Sequence, residues 1–326
     1  MLELIVRRFL QTKRGPAPAG LLGRHQGWPG HTGAIKPSPR VRDSQGIDRA
    51  RGGIGRDPRA SDCGGGRLLG RKALIAGGDS DWSRAVAIAF SIEGADVALC
   101  CPPPQGSSVG EESSVDEMGR WMHRAGHKPV PLPGDLSTED ACAQRVAASV
   151  RALGSLDILV IDASRPRSVA RPRSVGDIAH MSTEQFDATF SRNIYTMFWL
   201  TKAALPHLGP GSSIINTGPP TGADAADIEL DYSATKGAIM VFTRSLAGQL
   251  AGRGIRVNAV APEPIWTPRT VAGESAAGER RGRQQALIST YVWLASTHSC
   301  YATGQLYGAV DAGDPAGDLA GDRKEG

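Results

Sequence analysis

Apolar positions in this chain fall into short continuous runs and longer stretches with helical spacing, beginning near residue 71. The run Lys72–Ala76 is typical of a strand buried on both faces, and a Gly-rich turn follows it. In the next stretch, 82–93, Val86, Ala89 and Phe90 recur at helical spacing and share one face. The pattern therefore predicts a strand, a turn and a helix in succession.

The same alternation continues along the chain. Further strands are predicted at Ala95–Leu99, His127–Leu132, Asp157–Ile161, Ser213–Asn216 and Ile255–Val260. Helices are predicted at Val115–Arg124, Thr138–Leu153, Thr183–Leu205, in a stretch from Tyr232 to Leu250, and before a last strand ending near Val310. This spacing indicates an α/β fold in which crossovers join parallel strands. We expect one doubly wound sheet in three α/β/α layers, with ligands at the carboxyl ends of the strands.

Composition divides the chain into three parts. Residues 1–66 are rich in Pro, Gly and Arg without sustained periodicity, which predicts a flexible N-terminal arm. Residues 67–313 carry the alternating pattern and form the predicted single domain. Residues 314–326 belong to a tail in which Ala-Gly-Asp recurs, and we expect this tail to be disordered.

Charge and cysteine content argue against several classes of protein. The net charge is +4, and much of the basic excess lies in the first sixty residues, so we expect no nucleic-acid partner. Five cysteines without a Cys-x-x-Cys spacing argue against a disulfide framework and a zinc site, and Cys100 and Cys101 are expected to be buried and reduced. No apolar run approaches the ~18 residues of a membrane span. We expect a cytoplasmic protein; the apolar and basic opening, 1–10, leaves a transit-like segment as the weaker alternative.

The candidate chemistry centres on Tyr232 and Lys236, four residues apart in a predicted helix. Side chains at positions i and i+4 lie on the same helical face, so the phenol and the ammonium can share one site. A phenol is almost fully protonated at neutral pH, and a nearby cation favours its ionised form. The pair is suited to proton transfer, although the bare spacing also fits an ordinary exposed helix.

Several further stretches accompany this pair: Gly77–Ser80, Ala85–Phe90, Glu93–Val97, Ser182–Thr189 and Phe198–Leu208. With them, residues 67–313 resemble the short-chain dehydrogenase/reductase family, and within it the bacterial subgroup related to glucose and ribitol dehydrogenases. The resemblance implies a Rossmann domain, NAD or NADP as cofactor, and hydride transfer between a small-molecule alcohol and a carbonyl. It also implies a homo-oligomer, a dimer or tetramer, that packs through the helices around Asn193 and Tyr232.

The resemblance also assigns roles to single residues. Tyr232 is the implied acid/base, Lys236 lowers the pKa of that tyrosine and holds the nicotinamide ribose, and Asn193 supports a proton-relay water. The implied cofactor contacts are Gly77, Asp79 and Ser80 in the turn, Asp135 at the adenine pocket, Ala163, Lys236, and the carboxamide segment with Pro262, Ile265 and Thr267.

The chain departs from the family pattern where the cofactor phosphates bind. Asp81 and Ser83 replace the second and third glycines of the turn, which let the backbone approach the pyrophosphate. A carboxylate at this point competes with the phosphates, and the structural alternative is that Asp81 caps its helix. Asp162 adds another acid, because it replaces an asparagine of the family's Asn-Asn-Ala-Gly run. We therefore expect reduced cofactor affinity.

The second departure concerns the catalytic serine, whose position thirteen residues before the tyrosine holds Pro219. Proline has neither a hydroxyl nor a backbone N–H, so it cannot polarise a carbonyl. Thr217 and Thr221 are nearby hydroxyls that could replace it. Two hypotheses follow: an NAD(P)-dependent oxidoreductase with impaired activity, or a non-catalytic relative that keeps the fold for ligand binding or assembly.

Overall fold

A single parallel sheet forms the centre of the protein. The computed structural model describes residues 65–77, 80–101, 119, 122–123, 127, 129–162, 178–218, 230–261 and 287–308. In this part of the chain the strands are β1 (Lys72–Ala76), β2 (Asp96–Cys101), β3 (Val130–Pro133), β4 (Ile158–Ile161), β5 (Ser213–Thr217), β6 (Arg256–Ala261) and β7 (Leu306–Gly308). All are parallel, in the order β3-β2-β1-β4-β5-β6-β7. The order reverses between β1 and β4, where this class of sheet opens a crevice for ligands.

Helices cover both faces of the sheet. They are α1 (Asp81–Ile92), α2 (Glu139–Leu153), α3 (Thr183–Phe190), α4 (Thr196–Ala204), α5 (Leu230–Leu250) and α6 (287–295). A π-helical turn, Ser191–Tyr195, joins α3 to α4. The fold is therefore the expected three-layer, doubly wound α/β domain.

Alternation of side chains along the strands builds two apolar cores. In β1, Ala73 and Ile75 pack with α1 and α6, whereas Leu74 and Ala76 pack with α2, α4 and α5. Strands β4 and β6 are buried over their whole length. Burial on both faces explains the continuous apolar run of β4, whereas β6 also contains the buried polar residues Arg256 and Asn258. The sheet thus separates two helical layers and leaves its carboxyl edge for polar residues.

Local signals in the sequence fix where the helices begin. Ser182 and Gln185 form a reciprocal capping box at the start of α3. The Thr138 hydroxyl accepts from the N–H of Ala141 at the start of α2, and Glu139 and Asp140 follow in its first turn. Each cap satisfies an N–H that the helix itself leaves unpaired.

A partly buried ion pair ties the first described residues to the end of α1. The Glu93 carboxylate is fully buried and accepts from the Arg67 backbone N–H at 3.2 Å and from its guanidinium at 2.8 Å. Gly94 follows in a left-handed conformation, φ 95°, where an added Cβ would come within 3.0 Å of the Leu69 backbone. The domain is therefore anchored from about residue 67.

The predicted strands and helices match the observed ones within one to three residues, with two exceptions. The stretch 183–205 was expected as one continuous helix, but the π-helical turn interrupts it. The helix expected at 115–124 lies mostly outside the described residues. The expected tail also lies outside them, as does the expected arm except Gly65 and Gly66.

Candidate functional site

The carboxyl edge of the sheet brings together residues that are far apart in sequence. Strands β4 and β5 pair in register with Ile161 opposite Asn216, so the next residues, Asp162 and Thr217, lie side by side. On the other side of β4, the Asp162 N–H donates to the carbonyl of Ala76, the last residue of β1. The ends of β1, β4 and β5 thus form one continuous rim.

Tyr232 and Lys236 meet this rim from the first turns of α5. Asp231, at the start of the helix, is fully buried and accepts from the Tyr232 backbone N–H at 2.8 Å and from the Thr189 hydroxyl. A carboxylate in the first turn satisfies N–H groups that have no helical partner. This contact fixes the start of α5 against α3 and so sets the position of Tyr232.

Lys236 is buried, with its ammonium against the end of β5. Its Nζ donates to the carbonyl oxygen of Thr217 at 3.1 Å and lies 5.2 Å from the centroid of the Tyr232 ring. Burial lowers the pKa of Lys236 to about 8, although the charge of Asp162 opposes this change. Lys236 and Tyr232 therefore lie next to each other at the rim, with Lys236 buried and Tyr232 partly buried.

Asn193 lies in the π-helical turn and supports the same helix. Its Nδ2 donates to the Thr235 hydroxyl at 2.8 Å, and that hydroxyl donates to the Tyr232 carbonyl at 2.7 Å. A π-helical turn accommodates one extra residue and commonly occurs at functional sites. Asn193 therefore lies against the turn of α5 that carries Tyr232 and Lys236.

The Asp162 carboxylate, directly after β4, is held by two serines at the start of α1. The Asp162 Oδ2 accepts from the Ser80 hydroxyl at 2.5 Å and from the Ser83 hydroxyl at 2.8 Å, and Ser83 is fully buried. Gly77 has φ 113°, and a Cβ added there would lie 2.6 Å from the Asp162 carbonyl oxygen. Glycine at 77 is thus required by both conformation and space.

Ser80, not Asp81, is the N-cap of α1. Its hydroxyl oxygen accepts from the Ser83 N–H at 2.9 Å, and α1 begins at Asp81. Aspartate and serine are both good caps, and serine takes the role here because it directly precedes the first helical residue. The interpretation of Asp81 as the cap was therefore wrong by one position.

Thr217 does not present its hydroxyl at the site. Its Oγ1 is hydrogen-bonded to the Tyr291 hydroxyl at 3.0 Å, and both side chains are buried. This contact lies in the layer of α1 and α6, whereas Lys236 approaches from the layer of α5. Burial raises the pKa of Tyr291 above its ordinary value. Thr217 is thus occupied in the structure and cannot stand in for the missing serine without rearrangement.

Of the remaining predicted cofactor contacts, the structure describes Asp135 but not the others. Asp135 lies after β3, and its Oδ1 accepts from the backbone N–H groups of Leu136 at 2.7 Å and Ser137 at 3.1 Å. Its carboxylate therefore shapes its own turn. Seven predicted or substituted positions lie outside the described residues: Asp79, Ala163, Pro219, Thr221, Pro262, Ile265 and Thr267.

Within the described residues, no group of three or more His, Cys, Asp or Glu side chains could hold a metal ion. Cys100 and Cys101 are buried unpaired thiols, as expected, and burial raises the pKa of Cys100 to about 12. No helix in this part of the chain is long and apolar enough to span a membrane.

Sequence reasoning missed three contributions to the site. These are the contact of Asp231 with Thr189, the pairing of Asp162 with both serines, and the hydrogen bond between Tyr291 and Thr217. A signal existed for Asp231 alone, because an acid directly before Tyr232 falls in the first turn of the helix. The others join residues more than 70 positions apart.

Comparison with known proteins supports the resemblance. A family model described as enoyl-(acyl carrier protein) reductase matches residues 80–313, which is most of the chain. The chain belongs to the short-chain dehydrogenase/reductase family. An uncharacterized oxidoreductase of Bacillus subtilis, YhxD, is 42% identical over 259 residues, covering 75% of this chain and 83% of that protein.

Two other members of the family carry more specific descriptions. NADPH-dependent aldehyde reductase 1 of Arabidopsis thaliana, a chloroplastic protein, is 38% identical over 251 residues, covering 74% of this chain and 85% of that protein. The crystal structure of a short-chain dehydrogenase from Burkholderia cenocepacia in complex with NADP superposes with a TM-score of 0.60 at 25% identity, covering 74% of this chain and 97% of that one. The fold and family expected from the sequence are therefore confirmed.

Proposed function

We propose that the protein is an NAD(P)-dependent oxidoreductase that transfers hydride between a small-molecule alcohol and a carbonyl. The observation that carries this proposal is the buried Lys236 ammonium 5.2 Å from the Tyr232 ring at the carboxyl rim of the sheet. Burying an ammonium costs free energy, so a site that keeps one beside a phenol supports a chemical role. The NADP complex and the NADPH-dependent relative support the cofactor class.

The described residues fit a nicotinamide cofactor at its ribose end. The Lys236 Nζ lies at the carboxyl rim of the sheet, where it donates to the Thr217 carbonyl at 3.1 Å beside the Tyr232 ring. Lys236 and Tyr232 would hold the ribose, with Gly77, Ser80 and Asp135 as proposed contacts along the rest of the molecule. When bound, the nicotinamide supplies or accepts the hydride.

In this proposal Tyr232 is the general acid and base of the reaction. For a reduction its hydroxyl donates a proton to the carbonyl oxygen, and for an oxidation the phenolate accepts one from the alcohol. The phenolate is favoured while Lys236 keeps its positive charge. Because the pKa of Lys236 is about 8, this assistance is present at neutral pH and is lost as the pH rises above that value.

The residues at the start of α1 fit the phosphates of the cofactor less well. This poorer fit favours weak cofactor affinity or the non-catalytic alternative. Ser80 already accepts from the Ser83 N–H in the first turn of α1, and Asp162 places a carboxylate behind that turn. Like charges at ~4 Å repel by about 1 kcal/mol in water and by about 4 kcal/mol at an effective dielectric near 20, which corresponds to a loss of roughly one to three decades of affinity. We infer that the cofactor binds mainly through its nicotinamide ribose.

The proposal is tested by titrating the protein with NADH and with NADPH and measuring binding by nicotinamide fluorescence. We expect binding of at least one cofactor in the micromolar range, and at least tenfold weaker binding in Lys236→Ala, because the lysine holds the ribose. Lys202→Ala, which removes an exposed lysine paired with Glu139, is the matched control and should bind as the wild type does. Millimolar or undetectable binding of both cofactors would support the non-catalytic alternative instead.

We also infer a homo-oligomer, a dimer or tetramer, that packs through α4 and α5. Tyr195, the last residue of the π-helical turn, and Phe198 in α4 are 51% and 45% exposed, and Val241 on α5 is 66% exposed. Exposed aromatic and other large apolar side chains are enriched at interfaces between subunits. Light scattering after size exclusion should give a mass that is a multiple of 34.2 kDa, and Val241→Glu should shift it toward the monomer. A monomeric wild-type protein would contradict this inference.

A further inference from the structure

Asp162 and Ser83 replace two residues of the family pattern, and in this structure they bind each other. Ser83 takes the position of the third turn glycine, which in this fold allows close packing of helix against strand. Its hydroxyl is fully buried and therefore needs a partner, which the Asp162 Oδ2 provides at 2.8 Å. Ser80 adds a second donor at 2.5 Å. Both hydroxyls therefore donate to the same oxygen of Asp162.

This carboxylate lies close to the Tyr232–Lys236 pair. The register of β4 and β5 places Asp162 beside Thr217, one strand spacing away, which is ~4.8 Å. Thr217 is the residue whose carbonyl oxygen accepts from the Lys236 Nζ. The Lys236 ammonium and the Asp162 carboxylate therefore both lie next to Thr217, at the carboxyl end of β5.

We propose that Asp162, held in place by Ser80 and Ser83, is the counter-charge of the buried Lys236 ammonium and thus a positioning residue for the Tyr232–Lys236 pair. The role of Asp162 in the reaction rests on the proposed function. The electrostatic pairing of Asp162 with Lys236 does not, because it requires no cofactor.

The surroundings of Lys236 agree with this assignment. Tyr232 faces it from the same helix, Thr217 from β5, and Asp162 from the end of β4, while Tyr291 faces Asp162 from α6. Of these groups, Asp162 raises the pKa of Lys236 and so counteracts the effect of burial. The consequence is that the ammonium, which favours the Tyr232 phenolate, persists to a higher pH than burial alone would allow.

The test is a direct titration of Lys236 by NMR of the lysine ¹³Cε signal in the protein without cofactor. Its signal is assigned by its absence in Lys236→Met. We expect a midpoint near pH 8 in the wild type and a midpoint lower by about one unit in Asp162→Asn, which keeps the shape and removes the charge. Asp162→Glu should restore part of the difference.

Asp157→Asn is the matched control. It removes the same charge just before the amino end of the same strand, five residues and roughly 16 Å from Asp162, so the midpoint of Lys236 should stay unchanged. If Asp162→Asn does not fold, the double variant Asp162→Asn, Ser83→Gly places the family pattern at both positions and should show the same lowering. An unchanged midpoint in a folded variant at 162, or an equal lowering in Asp157→Asn, would overturn the proposal.

The outcomes separate this proposal from the proposed function. A lowered Lys236 midpoint in a protein that binds neither NADH nor NADPH supports the counter-charge and contradicts the oxidoreductase. An unchanged midpoint in a protein that binds cofactor overturns the counter-charge alone.

Discussion

Pro219→Ser is expected to raise the rate of carbonyl reduction at saturating cofactor by about 100- to 1,000-fold, the usual effect of one donor that stabilises developing charge on oxygen. The position lies thirteen residues before Tyr232, where the family carries its catalytic serine, and proline offers neither O–H nor N–H. Of the nearby hydroxyls, that of Thr217 is bonded to Tyr291 on the other side of the sheet. A serine at 219 would therefore add a donor that the described rim does not supply.

The rate with a panel of small aldehydes and ketones, followed by NADPH or NADH absorbance, measures this effect. Pro219→Ala is the control, because it removes the ring constraint without adding a hydroxyl. Adding Tyr232→Phe to Pro219→Ser should abolish the gain, since the proton donor is then missing. Equal rates for the serine and alanine variants would show that the loss of the hydroxyl is not what limits this chain.

The fold was predictable because its signals are local. The buried run of β1, the helical spacing of α1 and the capping residues before α2 and α3 each act within about ten residues. Alternation of strands and helices then left the doubly wound parallel sheet as the natural arrangement. The π-helical turn around Asn193 was not predictable, because its sequence has ordinary helical spacing and the turn adds one residue without a local signal.

The candidate site was predictable where one helix carries it. Tyr232 and Lys236 share a face by spacing alone, and family resemblance added Asn193. The partners of Asp162 were not predictable, because its contacts with Ser80 and Ser83 span about 80 positions and depend on the order β1-β4 in the sheet. Among the substitutions that the sequence showed to be unfavourable, those at 83 and 162 are hydrogen-bonded to each other in the structure. Roles at the positions outside the described residues stay predictions.

The buried charge of Lys236 should make the stability of the protein depend on pH in a specific direction. Burial lowers the pKa of Lys236 from 10.5 to about 8, so between these values the unfolded chain binds a proton that the folded chain does not. The free energy of unfolding therefore rises with pH across this window and is independent of this group below about pH 8. A difference of about 2.5 units corresponds to about 3 kcal/mol.

Lys236→Met isolates this contribution, because methionine fills a similar volume without a charge. We expect the wild type to gain about 3 kcal/mol relative to the variant between pH 7 and pH 10.5, measured by urea unfolding at each pH. The buried cysteines and Tyr291 act in the opposite direction, since their raised pKa values favour the folded state at low pH, but they are present in both proteins and cancel in the difference. A constant difference across this range would mean that Lys236 titrates in the folded protein as it does in the unfolded chain. The Lys236 ammonium next to Tyr232 would then have an unshifted pKa. Such a result would contradict the proposal that the Tyr232–Lys236 pair is adjusted for proton transfer.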